Sequence, residues 1–450
     1  HAFCLQLLKD QFQRLDLAPD FRLADEKQMV VLRKQAAQEV LEEAYAQGEE
    51  GFLQLVELVS SSRSDRRLQN LLLELYDFVR SHPFYEDWLD DKLALYTQVS
   101  SVEESPWGRV ILDYARDALR YGLDLTFQCL DRIQGDEALE KAYLSAYQQD
   151  AAQLQGLLEP VEHGQWDAVC QALSSFSFAR LGALKNYEDL GTKTRLSACR
   201  EEVKKIVARL KEKLFCATSQ EFLEDLQDLL PKIQALFQLT KQFAHRLDAL
   251  KGEQKLVDFG DLEQLTLQLL FHRDHGVYTP TELAKTLSEN FQEILVDEYQ
   301  DTNQAQDMIF TALSKGEKNL FMVGDVKQSI YRFRQAMPEI FLAKKRDYPP
   351  WDGKTCPSRL ALGHNFRSRS QVTGLVNFFF TLLMSEPLGE IDYNAQEELV
   401  PAATYQPYEP AVGELHLLVE DKELDKTQQE ADFVAKTVRE LLDRPYLVQD

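Results

Sequence analysis

The chain has 450 residues, 44% of them hydrophobic and 10% aromatic, which is enough to fill two or three compact cores and excludes general disorder. No apolar run reaches the ~20 residues that a membrane helix needs, and no signal-peptide pattern is present, so we expect a cytoplasmic protein without a membrane partner. The formal net charge of -24 excludes a generally basic surface. Contact with nucleic acid would therefore need a local cluster of Lys and Arg.

The six cysteines are scattered along the chain, with no CxxC pair and no cluster of cysteine and histidine. This spacing indicates neither a zinc site nor a disulfide framework. The first residue is His1, and the opening "HAFCLQLLKD" has the pattern of the middle of an element. We therefore expect the chain to be a piece of a longer protein.

Residues 26–246 have an overwhelmingly helical pattern. Segments such as "MVVLRKQAAQEVLEEAY" and "SACREEVKKIVARLKEKL" place apolar residues three and four apart, with charged residues between them. Strand-like alternation is nearly absent. The pattern predicts a helical domain over residues 23–252, inserted between residues 1–22 and the sheet to which those first residues belong.

After residue 252 the sequence pattern changes to that of a mixed α/β region. The stretch "LVDFGDLEQLTLQLL" predicts a helix with Asp258 or Asp261 as its N-cap, and "TPTELAKTL" predicts a helix capped by Thr279 with Pro280 in its first turn. Between them, "FHRDHG" has two histidines and a glycine but no third metal ligand, which indicates a surface loop.

Two short apolar runs, "EILVDE" and "NLFMVGD", are separated by a helix-like stretch. This order predicts a parallel strand-helix-strand unit with buried strands. Both runs end on an acid, Asp297 and Asp325, and the carboxyl ends of strands are where open parallel sheets bind ligands. We assign residues 253–350 to this first α/β region.

Residues 351–450 have the pattern of a second α/β unit. In chain order they predict a strand and loop at "RLALGHNFRS", a buried helix at "QVTGLVNFFFTLLM", a strand at "GELHLLVE" and a helix at "QQEADFVAKTVRELL".

The acids that follow the first apolar run indicate nucleotide hydrolysis. Asp297 is placed to bind Mg²⁺, and Glu298 is placed to accept the proton of an attacking water. A strand that ends in a solvated acidic turn is an equally good interpretation of "VDE" alone.

Two later segments favour the nucleotide interpretation. In "VGDVKQSIYRFRQAMPEIF", the aromatic residues Tyr331 and Phe333 alternate with arginines, which suits stacking on bases and contact with phosphates of single-stranded nucleic acid. The alternative is a pair of core aromatics on a short helix. In "HNFRSRSQV", Phe366 and Arg367 suit a base and a γ-phosphate, and the alternative is a helix start capped by Ser368 or Ser370.

Together these segments resemble the UvrD and Rep type of superfamily 1 helicases. "DEYQDTN" resembles that family's Walker B motif, "GDxKQSIYxFRxAxPxIF" its third motif and "NFRS" its fourth, while "HAFC" resembles the end of a T-x-H-(A/S)-F-C motif. The resemblance implies an α/β fold with two partial RecA-like P-loop NTPase sheets, called 1A and 2A, and an all-helical insertion, called 1B. It implies ATP and Mg²⁺ as ligands and DNA as the partner.

Within this superfamily the chain resembles the AddA family of helicase-nuclease subunits. The resemblance is carried by Lys327 in the third motif and by three segments, "LYDFVRSHPFYEDWL", "DFGDLEQLTLQLL" and "GEIDYNAQEELVP". It implies movement in the 3′ to 5′ direction on single-stranded and double-stranded DNA during double-strand-break repair. It also implies an exonuclease activity of the longer protein and an AddB-type partner.

The resemblance also implies a role for each matching residue. Asp297 would hold Mg²⁺, Glu298 would activate water beside it, and Gln300 would lie near the γ-phosphate. Gln328 would couple the nucleotide state to DNA binding. The remaining roles are adenine stacking by Phe366, an arginine finger in Arg367, and contacts with single-stranded DNA by His1, Tyr331, Phe333 and Arg334.

One departure from the family pattern is important. No GxxxxGK(S/T) loop occurs in the chain, so the phosphate cradle and its lysine are missing. We therefore expect the 450 residues alone not to hydrolyse ATP. Two alternatives stay open: an inactive helicase-like module that binds DNA or a partner, and a UvrD-like repair helicase without nuclease.

Overall fold

The structure is a computed structural model that describes residues 1–60, 64–184, 187–274, 276–405, 413–419 and 425–443. The chain divides into two compact units. The first consists of His1–Val323 together with Tyr331–Ile340, and the second of Gly324–Ile330 together with the residues from Phe341 onward.

The first unit is largely helical. Its helices are α1 (Ala2–Gln11), α2 (Glu26–Gln47), α3 (Glu50–Val59), α4 (Arg66–Val79), α5 (Tyr85–Thr97), α6 (Pro106–Ile133), α7 (Glu137–Leu139), α8 (Ser145–Glu162), α9 (Trp166–Ser175), α10 (Leu190–Arg209), α11 (Ser219–Glu253), α12 (Phe259–Leu270), α13 (Glu282–Asn290) and α14 (Gln304–Leu313). Helices α2 to α11 confirm the helical pattern of residues 26–246.

Among the described residues, four apolar cores hold these helices together, the smallest of them lying between α6, α7, α8 and α10. Leu72 and Phe243 lie in a core between α2, α3, α4, α5 and α11, and Trp166 lies in a separate core between α6, α8, α9 and α10. The third core joins α1, α12 and α14 around residues such as Leu8 and Leu267. The first residues of the chain therefore pack on helices that follow the long helical region.

The segments that lead into and out of the helical region lie side by side. Strand β1 (Arg22–Leu23) precedes it, strand β2 (Leu256–Val257) follows it, and the two pair in parallel. The pairing continues beyond the strands, because the Ala24 amide donates to the Val257 carbonyl at 2.9 Å. This pairing brings the two ends of the intervening helical region next to each other.

Buried charges lie at this junction. Lys251 at the end of α11 is 2% exposed and lies 2.7 Å from Asp261 and 3.2 Å from Asp258, while Arg80 after α4 lies 2.7 Å from Asp261. Burial acts to lower the pKa of Lys251, but Tyr76 and the two carboxylates outweigh it and raise that pKa. The network joins α4, α11 and the start of α12, because Asp258 and Asp261 pair with cations on the other two elements. Lys251 also pairs with Asp248 of its own helix at 2.9 Å.

Asp258 is the N-cap of α12, and Asp261 completes its capping box. This confirms Asp258 as the cap among the two acids that the sequence allowed. Burial acts to raise the pKa of Asp258, yet Lys251 and Arg80 hold it below its usual range.

Strands β3 (Phe271–Asp274) and β4 (Val277–Pro280) form an antiparallel hairpin. The surface-loop interpretation of this stretch was therefore wrong for residues 272–274, and His275 lies outside the described residues. The predicted cap of α13 was also wrong. Thr279 and Pro280 belong to β4, and the helix is capped by Thr281, whose hydroxyl accepts from the Ala284 amide and donates to the Leu269 carbonyl.

Strands β5 (Ile294–Val296) and β6 (Leu320–Met322) pair in parallel on either side of α14, which confirms the predicted unit. The prediction of buried strands was wrong. Leu295 and its register partner Phe321 are 70% and 55% exposed. Parallel strands are usually covered on both faces, and among the described residues nothing covers this face of the pair.

The second unit is smaller. Helix α15 (Pro338–Asp347) crosses the boundary, and the later elements are β7 (His364–Asn365), α16 (Ser370–Leu383), α17 (Glu386–Gly389), β8 (Val400–Pro401) and α18 (Lys426–Leu442). Strands β7 and β8 pair in parallel. The helices predicted at residues 371–384 and 428–442 are confirmed.

Two predictions for this unit were wrong. Helix α16 is not buried, since Phe378, Phe379 and Phe380 are 61%, 49% and 38% exposed. Residues 413–419, predicted as a strand, have no regular secondary structure, and the last residue of that segment lies outside the described part. An apolar pattern predicts a face that needs cover, but it does not say whether the cover is present.

In the described part of the chain, none of the helices is both long enough and apolar enough to cross a membrane.

Candidate functional site

The acids after β5 lie at the carboxyl end of a parallel strand, where their side chains face solvent. Asp297 and Glu298 are both exposed. Glu298 has a left-handed backbone with φ 50° and ψ 44°, and its amide donates to the Asp297 carboxylate at 3.0 Å. For a non-glycine residue this conformation costs about 1 kcal/mol or more.

Buried neighbours hold the strained turn in place. The Tyr299 amide donates to the Val323 carbonyl at 2.9 Å, which extends the pairing of β5 and β6 by one step, and the Tyr299 ring is fully buried. Gln300 is 1% exposed, and its side-chain amide donates to Glu298 Oε2 at 2.7 Å. The turn is therefore a built structure with an anchored Glu298, which the solvated-turn interpretation does not require.

Asp301 differs from its neighbours. Its Oδ1 atom is buried without a hydrogen-bond partner among the described residues. Burial and the charge of Glu298 raise the pKa of Asp301. In the acidic loop, residues 297–301, burial and repulsion from Glu298 therefore disfavour the charged form of Asp301. The side chains of Asp297 and Glu298 are exposed to solvent.

Mg²⁺ in nucleotide sites is bound by one or two carboxylates, waters and substrate phosphates. Asp297 and Glu298 fit that donor set, because they supply two exposed carboxylates at the end of a strand. No group of three or more His, Cys, Asp or Glu in the described ranges could hold a metal by itself. This is compatible with a site in which phosphate oxygens and water complete the coordination.

His1 is linked to the acidic loop by Glu263, a residue that the sequence did not single out. Its Nε2 is 3.1 Å from Glu263 of α12, a carboxylate that is itself buried. Glu263 also accepts from the side-chain amides of Asn303 and Gln306, at 3.3 and 2.7 Å. These two residues form the capping box of α14, directly after the acidic loop. The only signal in the sequence that could have pointed to Glu263 was an acid at a buried position of helix α12.

The aromatic residues of the third motif are exposed. Phe333 is 72% exposed and Tyr331 37%, and their ring centroids lie 5.8 Å apart. The alternative of two core aromatics was therefore wrong for Phe333. The side chain of Arg334 lies outside the described part of the structure, so its placement stays a prediction.

Gln328 lies in the second unit, in a short turn after Asp325. The side-chain amide of Gln328 donates to Asp325 Oδ2 at 3.1 Å, and the Lys327 amide donates to Oδ1 at 3.1 Å. Burial acts to raise the pKa of Asp325, but hydrogen bonds from Lys327 and Gln328 hold it below its usual range. Gln328 is thus oriented by an ionised carboxylate.

Phe366 and Arg367 follow β7 and are both exposed, Phe366 by 71%. The Asn365 side chain accepts from the amides of Arg367 and Ser368 at 3.1 and 2.7 Å, which shapes the turn. The alternative of a serine cap was wrong, because α16 begins after Arg369 without a side-chain cap.

The predicted residues fall into two groups. His1, Asp297, Glu298, Gln300, Tyr331 and Phe333 belong to the first unit, and Gln328, Phe366 and Arg367 belong to the second. Within the first group, Asp297, Glu298 and Gln300 form one connected turn. Within the second, Lys327 beside Gln328 pairs with Glu397, a support that the sequence did not reveal.

A family model for the UvrD/REP helicase N-terminal domain matches residues 1–349. The chain belongs to the UvrD/REP helicase family.

Individual relatives narrow the similarity. The chain is 38% identical over 408 residues to an ATP-dependent helicase/nuclease subunit of Acetivibrio thermocellus, covering 89% of this chain and 32% of that protein. The subunits of the same name from Bacillus pumilus and Bacillus licheniformis are each 36% identical, over 468 and 471 residues, covering all of this chain and 38% and 37% of those proteins. The predicted resemblance to the AddA family of helicase-nuclease subunits is thereby confirmed. The chain spans about a third of the length of these curated relatives.

Proposed function

We propose that the protein containing this chain is an ATP-dependent DNA helicase, the motor subunit of a bacterial helicase-nuclease. The observation that carries the proposal is the turn after β5. It combines two exposed carboxylates at the carboxyl end of a parallel strand with a strained Glu298 that is hydrogen-bonded to a buried glutamine.

In the proposed chemistry Asp297 holds Mg²⁺ together with Glu298. When bound, the ion neutralises the phosphate oxygens of ATP. Glu298 accepts the proton of the attacking water, because its carboxylate is fixed by Gln300 and open to solvent. Gln300 is assigned a place near the γ-phosphate, next to the Glu298 carboxylate to which it donates.

DNA contact is assigned to the exposed aromatic residues of the third motif. Tyr331 and Phe333 stack on bases, and Arg334 contacts the backbone phosphates. His1 is a further contact, oriented by Glu263. Both single-stranded and double-stranded DNA are substrates of the motor.

The second unit supplies the nucleotide-sensing groups. Gln328 responds to the γ-phosphate, Phe366 stacks near the adenine, and Arg367 acts as the arginine finger. We propose domain boundaries at 22/23, 252/253 and 350/351. These define part of 1A, the helical insertion 1B, the rest of 1A and the start of 2A, with the two RecA-like sheets forming the motor.

The longer protein supplies the phosphate-binding loop, which the 450 residues lack, so this chain alone does not turn over ATP. We propose that it works in the cytoplasm with an AddB-type partner in double-strand-break repair. Translocation runs 3′ to 5′, and the longer protein also carries an exonuclease.

The experiment that tests this proposal measures ATP turnover with and without single-stranded DNA. The full-length protein with its partner is compared with the 450-residue chain. We expect DNA-stimulated turnover in the full-length complex and none in the chain. Absence of turnover in the complex would favour an inactive DNA-binding module, and turnover in the chain would mean that the phosphate-binding loop was misassigned.

A further inference from the structure

Residues 389–401 resemble the AddA family in sequence but have no part in the proposed ATP chemistry. They form a turn that is fixed to α16. The Tyr393 hydroxyl donates to Asn377 Oδ1 at 2.7 Å, and the Leu399 amide donates to the same oxygen at 3.0 Å. Ile391 and Tyr393 are buried beside this contact. The turn is therefore a rigid support.

Glu397 projects from this turn between two lysines. Its side chain is 11% exposed, with Oε2 lying 3.1 Å from Lys327 Nζ and Oε1 accepting from Lys345. Lys327 belongs to the turn that contains Gln328, and Lys345 belongs to α15. One carboxylate thus joins three separate segments of the second unit.

Lys327 continues the chain of contacts toward the nucleotide-sensing glutamine. Its Nζ lies 2.8 Å from Asp325 Oδ1, and Asp325 Oδ2 accepts from the side-chain amide of Gln328. The order is Glu397, Lys327, Asp325, Gln328, and each link is an ion pair or a charge-assisted hydrogen bond. Such bonds are shorter and stronger than neutral ones.

The charges remain ionised at neutral pH. Burial acts to raise the pKa of Glu397, but hydrogen bonds from Lys345 and Lys327 outweigh it and lower the pKa. Burial acts to lower the pKa of Lys327, but Asp325 and Glu397 raise it. Loss of the Glu397 carboxylate would leave Lys327 paired with Asp325 but would remove the contact that ties Lys327 and Lys345 to residues 389–401, so the turn at 325–328 would lose this support.

We propose that Glu397 is a positioning residue, which holds turn 325–328 through Lys327 and so sets where the Gln328 side chain lies when ATP binds. The inference rests on the proposed function. It assigns to the segment at 389–401 the role of coupling ATP turnover to DNA contact. Glu397 itself touches neither ATP nor DNA.

The test compares Glu397→Gln with Glu398→Gln in the full-length protein with its partner. Glu398 is a matched control, because its carboxylate has no hydrogen bond or ion pair among the described residues, although it neighbours Glu397 in sequence. Glu397→Asp keeps the charge, and Lys327→Met removes the other half of the contact. Basal turnover, DNA-stimulated turnover and the KM for ATP are measured for each, with thermal unfolding as a check on folding.

We expect Glu397→Gln to lower DNA-stimulated kcat by about tenfold, with the KM for ATP unchanged and a cooperative unfolding transition retained, because a misplaced group slows the reacting step more than it weakens binding. Glu397→Asp should recover part of the loss, and Glu398→Gln should match the wild type. The double variant with Lys327→Met should be no worse than the more impaired single variant. Wild-type stimulation in Glu397→Gln would overturn the inference.

Hydrogen exchange separates this inference from the proposed motor. The Lys327 amide donates to Asp325, so peptides that cover residues 325–329 should exchange faster in Glu397→Gln than in the wild type or Glu398→Gln. Equal exchange would overturn the positioning role even if the complex showed no ATP turnover. Absent turnover with faster exchange would instead overturn the motor and leave the contact between Glu397 and the turn in place.

Discussion

The tripeptide Leu-Val-Asp occurs at residues 256–258 and again at 295–297, and the two copies serve different ends. In both copies the apolar pair lies in a short strand of a parallel two-stranded sheet. Asp258 is then buried between Lys251 and Arg80 and caps a helix, whereas Asp297 is exposed beside a second acid. The two strands are similar in sequence and in parallel pairing. The partners that tertiary packing supplies to Asp258 and Asp297 differ.

The comparison separates structural charges from charges that can take part in chemistry. At the first copy each carboxylate has a buried cation, so its charge is compensated within the fold. At the second copy the acids are held by an amide and by backbone, which orient them without neutralising them. An oriented but uncompensated carboxylate can still bind an ion or a proton.

The largest expected effect comes from Glu298→Gln in the full-length complex. ATP turnover should fall by about 10²- to 10⁴-fold, because the proposed general base is lost, while ATP and DNA binding persist. Steady-state turnover and equilibrium binding measure this. Glu293→Gln is the matched control, since Glu293 is an exposed acid just before β5. Normal turnover in Glu298→Gln would remove the assignment of the base.

At the first copy of the tripeptide, residues 256–258, we expect a large effect on stability. Lys251→Met should lower the free energy of unfolding by about 3–5 kcal/mol, because it leaves Asp258 and Asp261 buried with less compensation. Urea unfolding measures the loss. Lys204→Met on α10, which breaks an exposed pair with Glu201, should cost less than about 1 kcal/mol. Equal losses would show that burial does not distinguish the two sites.

The raised pKa of Lys251 also predicts that the stability of the fold depends on pH in the alkaline range. Because the pKa of Lys251 is raised in the folded protein, the unfolded chain loses this proton first as pH rises above the ordinary value of 10.5. The folded state then binds more protons, so stability falls with rising pH and is fully present below that value. Unfolding followed from pH 7 to 11 should show a steeper decline in the wild type than in Lys251→Met. Parallel curves would argue against the raised pKa.

The smallest effect is expected at the second copy. Asp297→Asn should change the free energy of unfolding by less than about 0.5 kcal/mol, because the side chain is exposed and its loss relieves repulsion from Glu298. Asp258→Asn, measured in the same urea series, should be clearly destabilising. A large loss of stability in Asp297→Asn would mean that this acid is structural, and the contrast between the two copies would disappear.

Local pattern was enough to predict much of this protein. The three and four residue spacing of apolar residues predicted helices such as α2 and α11, and acid-terminated apolar runs predicted the parallel pair β5 and β6. Asp297 and Glu298 were predicted as a nucleotide site from the acids that end an apolar run, whereas the role of Gln328 was predicted from the resemblance to the helicase family. Such features depend on neighbours in sequence, so they are visible without the fold.

The errors have a common origin in contacts between distant residues. Thr279 and Pro280 have the composition of a helix start, yet pairing with β3 places them in a strand. Helix α16 and strand β5 are apolar, and their exposure depends on whether another element covers them. No periodicity within a segment carries that information.

Tertiary structure decided which distant groups became partners, although some charges pair within one helix, as Lys204 does with Glu201. Lys251 finds Asp261 ten residues away, but Lys327 finds Glu397 across 70 residues, and Glu263 finds Gln306 across 43. The amino-acid order specifies which groups are available and which elements carry them. Folding then decides which charges are buried together, because the cost of removing a charge from water is offset only by a partner brought within a few ångströms.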